Sequence, residues 1–217
     1  MITRDKQTKE AFITVRTDGE WKVYAGNQVA SIDLKKSIAG SDAPGTYPLD
    51  VADDVRSYFQ FVQGNNRAIL AERHLPIEGG YNFRDLGGYR NRDGHYVKWG
   101  RIFRSDDMNH LTNSDLDYLA SIPIVSVVDF RADGEVEVAP DILPATARRH
   151  HLSITPGDMS SATDMAAIDA DQMREFMKQL NIQLVTEPQF IEQYREMFRL
   201  LQDENSVPLM FHCSAGK

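Results

Sequence analysis

The fold is decided by the C-terminal stretch Val207-Pro208-Leu209-Met210-Phe211-His212-Cys213-Ser214-Ala215-Gly216-Lys217. Its apolar first half predicts a short buried strand, and the small residues after Cys213 predict a tight turn. Backbone N–H groups in such a turn can converge on an anion, and a helix that follows the turn adds further donors. The same field favours a thiolate. The stretch therefore indicates a cysteine nucleophile beneath an anion-binding nest.

A second apolar run, residues 124–130, is rich in β-branched side chains and predicts a strand buried on both faces of a parallel sheet. Asp129 lies at its carboxyl end, where the sites of α/β proteins are found, and is a candidate general acid. The alternative role for Asp129 is an ion pair with Arg131 or Arg104 that orders the rim. Arg131 and Arg84 are candidate phosphate ligands because a guanidinium binds phosphate through two hydrogen bonds.

Residues 1–75 and 76–217 differ in pattern. The first part predicts a small antiparallel β module of about five short strands, with hairpins at 11–24 and 58–71, a possible strand at 29–34 and a loop at 40–48. The module is expected to frame the rest of the protein. Its alternative role is a carbohydrate- or protein-binding module.

The second part predicts a phosphate-binding α/β domain that carries a helical insertion at about 155–201. Residues 96–104 read as a hairpin around a glycine, and Thr112 with Asp115 predicts a helix N-terminus. Two further helices are expected at 164–184 and 190–201, the second with Pro188 near its first turn. Together the patterns predict an α/β fold with a mostly parallel central sheet flanked by helices and preceded by the antiparallel module.

Composition limits the possible functions. The formal net charge of −8 argues against nucleic-acid or membrane-surface binding. The single cysteine excludes an internal disulfide framework and a cysteine-rich metal site. No apolar run approaches the length of a membrane span, and the N-terminus lacks a signal-peptide core. Neither a metal nor a cofactor is expected. The cellular location of the protein stays open. It is cytoplasmic by default, or the protein is exported if a leader was removed.

Four motifs occur in an order that resembles a known family. The stretch from His212 to Lys217 resembles the start of the phosphate loop H-C-x5-R of the cysteine-based protein tyrosine phosphatases. Upstream, residues 82–89 (NFRDLGGY), 100–105 (GRIFRS) and 127–131 (VVDFR) followed by Glu135 complete the set. Together they resemble the bacterial, dual-specificity-like tyrosine phosphatases with a GK-type loop, over residues 77–145 and 207–217.

The resemblance implies hydrolysis of a phosphate monoester through a cysteinyl-phosphate intermediate, without a metal. Cys213 is then the nucleophile, and Ser214 assists release of the phosphate from sulfur. His212 fixes the loop, and Asp85 orients an arginine. The loop residues Ser214, Ala215, Gly216 and Lys217 are expected to bind the phosphate. The expected substrate is a phosphorylated protein or a phosphoinositide, and the helical insertion would serve as a lid or as part of the core.

One departure from the family pattern is large. The phosphate-loop arginine of the family would fall two residues past Lys217, where the sequence has ended. A continuation of roughly 50–100 residues, on the natural chain or as a bound fragment, is therefore expected from ordinary domain sizes. Two other functions stay open: a phosphate-binding interaction protein without turnover, and a different thiolate enzyme such as a sulfurtransferase.

Overall fold

A computed structural model describes residues 1–155 and 169–216 of the chain. It has a mixed α/β architecture with two antiparallel sheets in the N-terminal part and one mixed sheet in the remainder. The expected α/β class is thereby confirmed. The first five residues of the helix predicted at 164–184 lie outside the described ranges.

Two antiparallel sheets form the N-terminal part. They share a core of eight buried apolar residues, among them Trp21, Val23 and Phe59. One sheet has the order β1-β2-β5 and the other β4-β3-β6-β7. Their strands are β1 Ile2–Arg4, β2 Ala11–Val15, β3 Trp21–Gly26, β4 Ala39–Ser41, β5 Gly45–Leu49, β6 Tyr58–Gln63 and β7 Asn66–Ala71.

Several local predictions for this part are wrong. β2 and β3 do not form a hairpin, because β2 pairs with β1 and β5 while β3 pairs with β4 and β6. The possible strand at 29–34 is a single 3-10 turn at Val29–Ser31, and the expected loop at 40–48 contains most of β4 and β5. By contrast, the β6–β7 hairpin is confirmed, with Gln63 paired to Asn66 across a two-residue loop.

The central sheet has five strands in the order β11-β10-β12-β9-β8. β12 lies between β9 and β10 and runs parallel to both, and β11 runs parallel to β10. Only β8 is antiparallel, to β9. The predicted hairpin around Gly100 is wrong, because β9 instead pairs with β8 and β12. The strands are β8 Arg84–Asp85, β9 Ile102–Ser105, β10 Ser126–Asp129, β11 Arg148–His151 and β12 Leu209–His212.

Helices cover both faces of the central sheet. The helices are α1 Asn113–Ser121, α2 Asp133–Val138, α3 Ala170–Thr186 and α4 Pro188–Gln202. Successive residues of β10 point to opposite faces: Val127 joins a core with Leu119 of α1, and Val128 joins one with Leu200 of α4. The alternation explains why two successive residues of the strand, Val127 and Val128, are both apolar and buried.

The helix starts predicted at Thr112 and near Pro188 are confirmed. The Thr112 hydroxyl accepts a hydrogen bond from the Asp115 amide, and the Asp115 carboxylate accepts one from the Thr112 amide. Pro188 occupies the first turn of α4. Within the described ranges, no helix has the length and apolarity required to cross a bilayer.

A buried ion network joins the N-terminal part to the central sheet. The Arg56 guanidinium lies 3.0 Å from the Asp85 carboxylate of β8 and 3.4 Å from that of Glu72. Arg4 of β1 pairs with the other Glu72 oxygen at 2.9 Å, and the Tyr118 hydroxyl of α1 donates to Glu72. Arg56, Glu72 and Asp85 are each fully buried. Paired buried charges therefore join the two parts.

Candidate active site

Three strands of the central sheet end at the same edge. Asp129 of β10 is in register with His212 of β12, and His212 is in register with Ser105 of β9. The Phe130 amide then donates to the His212 carbonyl oxygen at 3.0 Å, which prolongs the contact past the strand end. Cys213 follows His212 directly and is a half-buried free thiol. The parallel register thus places the cysteine at the carboxyl edge of the sheet.

The turn after Cys213 is held by its carbonyl oxygens. The Asp107 amide lies 3.4 Å from the Ser214 oxygen, Asn82 Nδ2 donates to the Ala215 oxygen at 2.7 Å, and Arg84 Nη2 donates to the Gly216 oxygen at 2.8 Å. In a trans peptide the C=O and the following N–H point in opposite directions. The amides of Ala215 and Gly216 are therefore turned away from these donors and are free to face an anion.

Gly216 has a backbone conformation that favours glycine. Its φ is +64°, and a Cβ added there would lie 2.5 Å from the Ser105 carbonyl oxygen. That space is closed by backbone, which cannot move as a flexible side chain would. The turn can reach the end of β9 only because this residue has no side chain.

The segment before β8 supplies the supports of the turn. The Asp106 carboxylate accepts hydrogen bonds from the amides of Tyr81 and Asn82 at 2.9 and 3.0 Å, which fixes the backbone of this segment. Arg84 also donates to the Asn82 carbonyl oxygen at 2.8 Å. Burial lowers the pKa of Arg84, and the neighbouring Arg104 lowers it further, whereas the charge of a Cys213 thiolate opposes both effects. Arg84 therefore lies within electrostatic reach of the cysteine.

A buried cluster of opposite charges lies beneath the turn. Asp129 accepts two side-chain hydrogen bonds from Arg131, at 3.0 and 2.9 Å, and one from Arg149 at 2.8 Å. Burial alone would raise the pKa of Asp129, but hydrogen bonds from Arg131 and the charge of His212 hold it well below its usual range. Asp129 is therefore an ionised carboxylate whose oxygens pair with Arg131 and Arg149.

Asp141 links this cluster to the strand that carries the cysteine. Its carboxylate lies 2.8 Å from Arg131 Nη2 and 3.2 Å from Nε2 of the fully buried His212, and it accepts a hydrogen bond from the Met108 amide. The other ring nitrogen of His212 lies 3.4 Å from the Cys213 carbonyl oxygen. Asp141 thus lies against the residue that precedes Cys213.

Two further carboxylates lie beside the turn. The Ser214 hydroxyl donates to Glu135 of α2, whose other oxygen accepts from the Ala132 amide. Asp107 follows β9 and is half-buried. Burial raises the pKa of the Asp107 carboxyl, although the charge of Arg131 opposes the rise. Two carboxyl groups in different states therefore lie beside the turn. Glu135 is hydrogen-bonded to Ser214, and Asp107 has an increased tendency to hold a proton.

Comparison with known proteins assigns this site to a family. A model described as the tyrosine phosphatase family matches residues 75–217, about two thirds of the chain. This chain belongs to the tyrosine phosphatase family. It is also similar to "Putative tyrosine-protein phosphatase H16_A0669" of Cupriavidus necator, with 32% identity over 158 residues that cover 69% of this chain and 55% of that protein. The chain thus spans about half the length of the curated relative that it matches.

Within this phosphatase-family chain, most of the residues predicted for the phosphate loop lie together. Cys213, Ser214, Ala215 and Gly216 form one turn, His212 precedes it, and Arg84 is bonded to it. Lys217 lies outside the described residues. His212 lies close to Asp141 and to the Cys213 carbonyl oxygen, and its role in fixing the loop stays a prediction.

Two predicted roles in this phosphatase-family site need correction. Arg131 was expected to bind phosphate, but its guanidinium is buried and donates to Asp129 and to the Ala139 carbonyl oxygen. Asp129 was a candidate general acid, but its contacts favour the alternative role, an ion pair that orders the rim of the sheet. Its partners are Arg131, as predicted for that role, and Arg149, whereas Arg104 was the other predicted partner. Asp85 orients an arginine as predicted, namely Arg56.

Sequence reasoning missed Asn82, Asp107 and Asp141. Asn82 lies inside the recognised NFRD motif, so its position was visible but its contact with Ala215 was not. Asp107 comes two residues after the end of β9, at the carboxyl edge of the sheet. This edge is where the functional sites of α/β proteins lie, so the sequence position was a usable signal. Asp141 follows α2 in an irregular segment, and nothing in its local pattern distinguishes it.

One group in the described chain has spacing that could hold a metal ion. One ligand atom each of Asp129, Asp141 and His212 lies within 4.8 Å of the others. Arg131 and Arg149 already pair with these carboxylates. A cation would have to displace or oppose two guanidinium groups, so the donor set fits an ion network better than a metal.

Proposed function

We propose that this protein hydrolyses phosphate monoesters through a cysteinyl-phosphate intermediate, with Cys213 as the nucleophile. The observation that carries the proposal is the turn after Cys213, whose carbonyl oxygens are bonded to Asp107, Asn82 and Arg84. Because those carbonyls are held outward, the amides of Ala215 and Gly216 can bind the phosphate oxygens. Ser214 and Lys217 belong to the same proposed phosphate loop.

The proposed reaction has two steps. In the first, the Cys213 thiolate attacks phosphorus, an S–P bond forms, and the P–O bond to the leaving group breaks as its oxygen takes a proton. In the second, a water molecule loses a proton and attacks phosphorus, the S–P bond breaks, and inorganic phosphate leaves with the thiolate restored. Ser214, whose hydroxyl donates to Glu135, is proposed to assist the second step.

Asp107 is our proposed proton donor to the leaving group. Its backbone lies against Ser214, and the pKa of its carboxyl is raised by burial, whereas that of Asp129 is lowered. A general acid must hold its proton at the working pH. Among these two carboxyls, only Asp107 has the shift that such a role requires.

Arg84 is proposed to position the turn, because two of its N–H groups already donate to Asn82 and Gly216. The substrate is proposed to be a phosphorylated protein, in agreement with the name of the relative from Cupriavidus necator. Phosphoinositides form the competing substrate class. Both present a phosphate monoester to the same turn.

A phosphate-release assay tests the proposal. The protein is incubated with an aryl phosphate, a phosphotyrosine peptide and a phosphoinositide, and acid quenching traps the intermediate. We expect release from the aryl phosphate and from the peptide, with phosphate recovered on Cys213. Binding of phosphate without release would identify a phosphate-binding protein, and transfer of sulfur from thiosulfate would identify a sulfurtransferase. Either outcome would overturn the proposal.

A further inference from the structure

A groove of about 720 Å³ lies between the N-terminal β part and the segment that leads into β9. β7 forms one wall, including Arg67 and Ile69, and residues 96–99 form the other. The region matched by the family begins at residue 75, so the β7 wall lies outside it. The groove is therefore distinct from the cysteine site.

The floor of the groove is fixed. Trp99 Nε1 donates to the Ile69 carbonyl oxygen at 3.0 Å, and the Arg73 guanidinium lies 4.9 Å from the centre of the Trp99 ring. Gly88 approaches the ring so closely that an added Cβ would lie 2.4 Å from it. A ligand that contacts Trp99 would meet an ordered surface and would lose little free energy to ordering it.

β7 is an edge strand of its four-stranded sheet, and its outer side faces this groove. Gln63 and Asn66 close the two-residue hairpin loop as a hydrogen-bonded pair. Non-hydrogen-bonded and hydrogen-bonded pairs then alternate along the two strands, beginning with a non-hydrogen-bonded pair at Arg67. By this alternation Arg67 and Ile69 direct both N–H and C=O away from β6. The contact from Trp99 to the Ile69 oxygen agrees with that assignment. No hydrogen bond among the described residues uses the Ile69 N–H.

The groove combines apolar and basic side chains. Tyr96 and Val97 are 63% and 37% exposed, although both are large and apolar. Arg67 and Lys98 form no ion pair with any acidic group of residues 1–155 or 169–216. Two uncompensated cations on a chain of net charge −8 mark a local preference for an acidic ligand.

We propose that this groove binds an extended acidic peptide of a partner protein, which pairs with β7 as an additional strand. The peptide backbone accepts a hydrogen bond from the Ile69 N–H and donates one to the outward-directed Arg67 C=O. An apolar side chain packs against Val97 and Trp99, and acidic side chains approach Arg67 and Lys98. Strand addition derives affinity from the backbone and specificity from alternate side chains. The alternation suits a groove that is apolar at its floor and basic at its rim.

The test measures binding of three labelled eight-residue peptides with blocked ends by fluorescence anisotropy. One alternates valine with glutamate, the second alternates valine with lysine, and the third is the first peptide with an N-methyl group on every residue. We expect the valine–glutamate peptide to bind at least about tenfold more tightly than either of the others. Equal binding of the first two peptides would overturn the charge assignment, and unchanged binding of the methylated one would overturn strand addition.

Charge reversal locates the site. Arg67→Glu and Lys98→Glu should each weaken binding of the valine–glutamate peptide by about tenfold, whereas Lys178→Glu on α3 should leave it unchanged. All three residues are exposed, so the variants are expected to fold, and circular dichroism checks this. Anionic phospholipid vesicles serve as the competing ligand. The proposal fails if vesicles bind through Arg67 and Lys98 while the peptide does not bind.

Discussion

Asp129 and Arg131 form a two-point ion pair that is completely enclosed. Arg131 Nε lies 3.0 Å from one carboxylate oxygen of Asp129, and Nη2 lies 2.9 Å from the other. Less than 2% of either side chain is exposed. The pair lies at the carboxyl end of β10, directly beside the strand that carries Cys213. It stabilises the edge of the sheet from which the proposed phosphate loop begins.

Replacing Asp129 by asparagine should destabilise the fold. The change removes one of the two carboxylates that pair with the buried Arg131 and the nearest carboxylate of Arg149, which is 31% exposed. Asp141 still faces Arg131, so the expected loss is smaller than the about 3–5 kcal/mol that a buried charge costs when its partner is removed. Because the pKa of Asp129 is lowered in the folded state, its contribution is complete above the unfolded value of about 3.9 and is lost as the pH falls through the folded value. Urea denaturation of both proteins between pH 3 and 7 measures this. A variant as stable as the wild type would contradict the structural role.

Cys213→Ser should abolish turnover and keep phosphate binding. The proposed anion site consists of backbone amides, which this substitution does not change, whereas a hydroxyl is a far weaker nucleophile than a thiolate. We expect kcat on an aryl phosphate to fall below detection, with inorganic phosphate still bound in calorimetry. As a companion measurement, iodoacetate should alkylate Cys213 in the wild type more slowly when phosphate or vanadate is present. Ordinary turnover by the serine variant would remove Cys213 as nucleophile.

Asp107→Asn should reduce kcat much more on alkyl than on aryl phosphates. A general acid matters most where the leaving oxygen is a poor leaving group, and its contribution is about 10²–10⁴-fold. Because the pKa of Asp107 is raised, the protonated fraction in the wild type declines as the pH rises through that value, so kcat on alkyl phosphates should decline with it. The variant should lack this decline. Equal losses on both substrate classes would make Asp107 a positioning residue instead.

Gly216→Ala should disable the phosphate loop. Its φ of +64° is unfavourable for alanine, and the new Cβ would lie 2.5 Å from the Ser105 carbonyl oxygen. We expect kcat/KM on an aryl phosphate to fall at least about 100-fold, because small displacements of reacting groups have large effects on rate. Gly134→Ala in α2 is the matched control: a Cβ there meets nothing within 4 Å. Similar activity of the two variants would show that the turn tolerates movement.

Arg56→Leu should destabilise the whole protein, not only its N-terminal part. It leaves the buried carboxylate of Asp85 without its arginine and weakens the support of Glu72. The expected loss is about 3–5 kcal/mol, observed as one lowered transition in thermal unfolding. Arg92→Leu, at an exposed position, is the control. Two separate transitions, with only one of them shifted, would show that the β part unfolds independently.

Local patterns determined much of the fold and of the phosphate loop. The largely apolar runs at 124–130 and 207–211 each predicted a buried central strand, because a strand covered on both faces is mostly apolar. That the two strands are neighbours is seen only in the structure. Thr112, Asp115 and Pro188 marked helix starts, since capping and first-turn preferences act over three or four residues. The lone cysteine before small residues indicated the loop by the same local logic.

Only the tertiary structure decided which strands pair and which charges meet. β2 and β3 look like a hairpin because they are adjacent in sequence, yet each finds partners in other segments. Arg131 looked available for phosphate, but folding brings Asp129 and Asp141 from separate elements against it. The physical reason is the sequence separation over which each interaction acts. Periodicity, caps and turns act between residues close in sequence, and a local pattern therefore reveals them. Burial makes charges from distant parts of the sequence pair, and no local pattern records those contacts.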